Sequence, residues 1–89
     1  MLKDIVDVRP LDGYCVSLRF EDGTSGEVNV ATLVAFTGVF APLQDRRYFR
    51  QVRVNPDLGT ICWPNGADLD PDVLYSAVTG EPLPLLERA

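Results

Sequence analysis

Six side chains are candidates for chemistry or contact: Arg46, Arg47 and Arg50 in one run, and Trp63, Asn65 and Asp68 in another. Arg46, Arg50 and Arg53 recur at i, i+4 and i+7 beside Tyr48 and Phe49. Guanidinium groups with aromatic neighbours grip phosphate and stack on bases. They also suit an acidic protein surface, since arginine and tyrosine are enriched at interfaces. The plainer reading gives Tyr48 and Phe49 to the core. It leaves the arginines solvated or paired with the chain's own acids. The second run, Trp63-Pro64-Asn65-Gly66, holds a tryptophan extended before proline and then turns. Such a tryptophan is either an exposed hot spot or a buried ring closing a sheet against a helix.

Catalytic constellations are not expected. The 89 residues contain no histidine, which removes histidine general bases, histidine-containing zinc sites and histidine pH switches. Asp68, Asp70 and Asp72 alternate as in a calcium loop. That loop needs glycine at its sixth position and glutamate at its twelfth. Those positions are Val73 and Thr79, so the pattern reads instead as turn and cap carboxylates. Ser17, Ser25 and Ser76 lack a nucleophile-elbow context. Asp22 and Glu27 have no motif ordering them around a nucleophile. Cys15 and Cys62 read as reduced, packed thiols. No metal or cofactor is expected, and the chain reads as a non-enzyme. A carboxylate- or metal-dependent enzyme is the remote alternative.

The net charge is -5, and its distribution is uneven. Residues 1–30 carry three basic and six acidic groups, residues 31–60 four and two, and residues 61–89 one and five. A basic middle thus lies between acidic ends. An acidic chain is a poor default partner for nucleic acid. No stretch approaches the ~20 apolar residues that span a bilayer. The opening MLKDIVDVRP mixes charge into its apolar residues, unlike a signal peptide. The expected location is therefore cytoplasmic, without membrane contact.

The elements that must position these residues are legible as periods and punctuation. Ile5, Val6 and Val8 form a short strand ending at Pro10. Tyr14, Val16, Leu18 and Phe20 alternate with Cys15, Ser17 and Arg19, which predicts a half-buried strand. Glu21-Asp22-Gly23 turns into a return strand over 24–30, with Val28 and Val30 inward. Residues 31–36 suggest one or two helical turns, interrupted at Thr37-Gly38. Val39, Phe40 and Leu43 read as core anchors around Pro42. Asp45 suits the cap of a short helix through Arg50. A second hairpin is expected over 52–63, turning at Asn55-Pro56-Asp57-Leu58-Gly59. A final helix follows within 69–80, with Asp70 as cap, Pro71 at the first position, Gly80 past the end and Pro82 beyond. Leu69 and Leu74 are placed to staple its start. Leu74, Ala77 and Val78 are expected to form its buried face. Leu83, Leu85 and Leu86 in the tail pack against the domain or meet a partner.

FEDGTSGEVNV, followed by VFAPLQDRRYFRQVRVNPDLGTICWPNGADLDPDVLY, resembles the small bacterial domain of unknown function 2442. The resemblance rests on Phe20, Asp22 and Gly23, and on Phe40, Leu43, Asp45 and Phe49. Its most specific block is Trp63, Gly66, Asp68, Leu69, Pro71, Asp72, Leu74 and Tyr75. It covers about residues 3–80. It implies a small α+β domain encoded beside a second small gene, as in toxin–antitoxin pairs. Some members of that family carry an added helix-turn-helix, which implies transcriptional roles. It implies no catalytic residue.

The sequence thus predicts one α+β domain over 1–80, with a Pro/Leu tail over 81–89. The fold is a small antiparallel sheet of about five strands in hairpins: three strands, a short helical segment, then two strands. A C-terminal helix packs on one face. The expected role is a non-enzymatic protein-interaction module, antitoxin-like or regulatory, whose partner is encoded nearby. The alternative is a nucleic-acid-binding or transcription-regulating domain acting through Arg46–Arg53. Open sheet edges also suit a two-fold homodimer.

Overall fold

The computed structural model describes residues 4–80. β1 spans Ile5–Pro10, β2 Cys15–Phe20 and β3 Ser25–Asn29. These strands form an antiparallel meander in the order β1-β2-β3. A 3-10 turn over Val30–Thr32 and a 3-10 segment over Gly38–Gln44 lead into α1, Arg46–Phe49. β4, Arg53–Asn55, and β5, Thr60–Cys62, make the second hairpin. α2, Pro71–Thr79, comes last. The fold is α+β, with strands and helices in the predicted order. The tail over 81–89, with Leu83, Leu85 and Leu86, lies outside the described residues.

The five strands divide into two sheets of three and two rather than one. β1 is the joint between them. Its Ile5 amide donates to the Gly59 carbonyl at 2.9 Å, so the second hairpin meets β1 through its turn. The β1–β2 register also shifts between Ile5 and Asp7. A bulge there bends the edge that a continuous sheet would have extended.

The meander follows from a period of two. Val16, Leu18 and Phe20 are buried, as are Val28 and, just past β3, Val30. The register sets Val16 opposite Val28 and Leu18 opposite Gly26, so one face carries the apolar set. Leu43, Phe49, Ile61, Trp63 and Leu74 complete the core from the other elements.

α2 closes that face. Asp70 Oδ1 accepts from the Asp72 amide at 2.8 Å and caps the start. Gly80 at φ +79° ends the helix, its amide donating to Ser76 O at 2.8 Å. Leu69 and Leu74 are both buried at the start. The expected face needs one correction: Ala77 is exposed, and Tyr75 takes its place beside Leu74 and Val78. Two contacts set this rotation. A Cβ on Gly26 would lie 2.7 Å from Val78 Cγ1, so the helix approaches β3 where only glycine fits. Tyr75 meets Phe20 edge-on at 4.9 Å and donates its hydroxyl to Asp22 Oδ2 at 2.8 Å.

The middle segment is less helical than its sequence suggests. Residues 31–36 contribute only the end of the Val30–Thr32 turn. Asn29 Oδ1 accepts from the Ala31 amide at 3.0 Å, and Thr32 Oγ1 donates to Asn29 O at 2.7 Å. These local bonds compete with a longer helix. Val39 is 51% exposed, not a core anchor, whereas Leu43 is fully buried. With three residues per turn, Phe40 and Leu43 share a side that Val39 does not.

Candidate functional site

The two sequence runs fold into neighbouring but different environments. Trp63 is 1% exposed, so of its two readings the structure has the buried ring and not the exposed hot spot. Its indole N–H donates to Phe49 O at 2.9 Å, and its ring lies 5.7 Å from that of Phe49. Tyr14 stands edge-on to Phe49 at 5.4 Å and to Phe36 at 5.0 Å. The Trp63 ring therefore forms the buried end of an aromatic row and closes the core.

Asn65 is exposed, yet its backbone amide and both side-chain groups are bonded. Its amide donates to Tyr48 Oη at 2.8 Å, and its Nδ2 donates to Val39 O at 2.9 Å. Its Oδ1 accepts from the Ala67 amide at 3.1 Å. The backbone amide ties the turn to α1, and the side chain ties it to the 3-10 segment. The turn's own return is held by Trp63 N donating to Ala67 O at 2.9 Å.

Asp45 Oδ1 accepts from the Arg47 amide at 2.9 Å and starts α1 as expected. Phe49 turns inward and is fully buried, which leaves Arg46, Arg47 and Arg50 exposed. The arginines do not converge on one point. The Arg46 guanidinium lies 5.8 Å from the centre of the Tyr14 ring. Arg50 borders a shallow depression shared with Asp12 and Glu27. No hydrogen bond or ion pair engages the Arg47 or Arg53 guanidinium among the described residues.

Asp68 leads to a feature that local pattern does not reveal. Between the segment after β3 and the start of α2 runs a groove of about 260 Å³. Leu33, Val34 and Phe40 line it from the first segment, and Leu69, Val73 and Leu74 from the second. Asp68 and Asp70, both exposed, are its other lining residues. Asp70 is occupied as the cap of α2. The Asp68 carboxylate has no hydrogen bond or ion pair among the described residues.

The first side of the groove is held in place. Gln44 Nε2 donates to Phe36 O at 2.8 Å, and Tyr14 Oη donates to Gln44 O at 2.5 Å. With the Asn65 bond to Val39 O, these contacts fix a segment that has little regular structure of its own. No group of three carboxylate, thiol or imidazole side chains comes together to hold a metal among the described residues.

A family model, protein of unknown function (DUF2442), matches residues 5–80. The chain belongs to the DUF2442 family. No curated protein and no solved structure matches it. The residues on which the DUF2442 resemblance rests meet in the folded chain. Phe20 and Asp22 join Tyr75, and Phe49 joins Trp63. Phe40, Asp68, Leu69 and Leu74 all line the groove. No helix among the described residues is long and apolar enough to cross a membrane.

Of the six sequence candidates, Trp63 and Asn65 hold the fold together. Arg46, Arg47 and Arg50 lie on a solvent face, and Asp68 borders the groove. Leu33, Val34, Phe40 and Val73 were not singled out as contacts. The available signal was the pair Leu33-Val34, apolar and beyond the last strand residue.

Proposed function

We propose that the chain is a non-enzymatic protein-interaction module in the bacterial cytoplasm, the antitoxin-like or regulatory member of a two-gene pair. The observation that carries this reading is the groove. Six apolar side chains line it, and two exposed carboxylates set the charge it presents. Partly exposed apolar clusters rimmed by polar groups mark contact sites on small domains. The DUF2442 resemblance supplies the partner's source, a neighbouring gene.

Size-exclusion chromatography of an equimolar mixture with the neighbouring gene product tests the reading. A single earlier-eluting peak is expected. Two unshifted peaks would overturn it.

A second reading, nucleic-acid binding, rests on the exposure of Arg46, Arg47, Arg50 and Arg53. It predicts binding that weakens steeply with salt, and a smaller salt slope after Arg46→Ala with Arg50→Ala. No mobility shift at low salt removes it. The groove reading is preferred because Arg46 and Arg50 already lie against the β1–β2 turn region.

A further inference from the structure

We propose that the groove takes a short apolar segment of a protein partner that carries an arginine or lysine beside its anchoring side chains. This rests on the interaction reading and names the chemistry of the partner at that site. Three observations lead to it.

The first is size. At about 260 Å³ the groove lies at the small end of ligand-sized sites. It accommodates a few side chains of a longer segment rather than a whole ligand.

The second is charge. Among the described residues, the charged groups lining the groove are Asp68 and Asp70. Asp70 has one oxygen committed to the Asp72 amide, so Asp68 is the freer charge. An acidic or purely apolar segment would leave that carboxylate repelled or desolvated without a partner. A cation beside the apolar anchors pairs with it.

The third is preorganisation. The bonds from Gln44 and Asn65 hold the 36–39 stretch, so little ordering is needed on binding. A second copy of this chain fits less well. Its α1 offers cations, but the aromatics beside them are not free to anchor, Phe49 being buried and Tyr48 half-buried.

Short random peptides displayed on phage and selected on the full chain test the proposal. Recovered sequences are expected to combine leucine, isoleucine or phenylalanine with a nearby arginine or lysine. Their affinity, read by fluorescence anisotropy, is expected to fall about tenfold or more with Asp68→Lys. Asp68 is exposed and caps no helix, so this variant should keep the wild-type unfolding midpoint. Val73→Glu, on the apolar lining, should abolish the same binding. Selection of acidic peptides, recovery of none, or equal affinity for D68K would each overturn the proposal. So would a wild-type chain that self-associates through the groove.

The neighbouring gene product separates the two ideas. If it co-elutes equally with wild type and D68K, the interaction reading stands and the groove chemistry falls. If it fails to co-elute while basic peptides bind in an Asp68-dependent way, the two-gene reading falls and the groove chemistry stands.

Discussion

The turn over residues 63–67 and the helix over residues 46–49 carry similar residues, and the fold uses them in opposite ways. Each has an aromatic beside polar groups. In the turn, Trp63 is buried and donates to Phe49 O, and Asn65 makes two bonds to other segments and one within the turn. On α1, Tyr48 and Phe49 turn inward while Arg46, Arg47 and Arg50 remain in solvent. An aromatic with polar neighbours therefore marks either a joint or a surface. Which one depends on whether distant carbonyls and amides lie within reach of the polar groups. The two regions are themselves linked, because the Tyr48 hydroxyl accepts from the Asn65 amide.

The sharpest way to break this contrast is Trp63→Ala. A large buried ring is removed, and the expected loss is about 3–5 kcal/mol in urea unfolding. A loss under about 1 kcal/mol would return Trp63 to the surface class. Trp63→Phe keeps most of the volume and removes one of the two donors to Phe49 O, the Val52 amide remaining at 3.2 Å, for about 0.5–1.5 kcal/mol.

Asn65→Ala comes next. It strips the side-chain bonds to Val39 O and to the buried Ala67 amide, for about 1–2 kcal/mol by the same measurement. Gly26→Ala sharpens the packing side of the comparison. The new methyl meets Val78, so about 1–3 kcal/mol should be lost. Val78→Ala in the same chain should recover part of it, which a double-mutant cycle reads directly.

The smallest effect belongs to α1. Arg47→Ala should change stability by less than about 0.5 kcal/mol. Arg46→Ala should cost slightly more, about 0.5–1 kcal/mol, because its guanidinium lies over Tyr14. Equal costs at Arg47 and Asn65 would dissolve the distinction between surface and joint.

Much of the fold was legible because its signals are local. Asp70-Pro71 and Gly80 bound α2 almost to the residue, since cap chemistry depends on a few adjacent positions. The alternation from Val16 to Phe20 fixed the buried face of β2 for the same reason. The rotation of α2 was not legible. It depends on Gly26 lying beneath Val78 and on Asp22 lying beside Tyr75, pairings about fifty residues apart. The division into two sheets likewise depends on where the Gly59 carbonyl meets Ile5.

The candidate site was legible only in part. Asp68 could be singled out because it sits in a run of alternating carboxylates. The groove it borders is assembled from residues 33–40 and 68–74, and neither stretch has a pattern that announces the other. Asn65 was visible as a turn residue, but its partners Tyr48 and Val39 were not. Its role as a joint therefore emerges only in three dimensions.

The docking of α2 on β3 has a consequence for how the chain is made. β3 ends at residue 29 and α2 at residue 79, so the cover for the meander is synthesised about fifty residues after the strands it protects. At roughly 5–20 residues per second, the sheet waits about 3–10 s for its lid. During that interval Leu18 and Val28 have no helix above them. A chain that stalls before Pro71 thus leaves the apolar face of the meander without its helix.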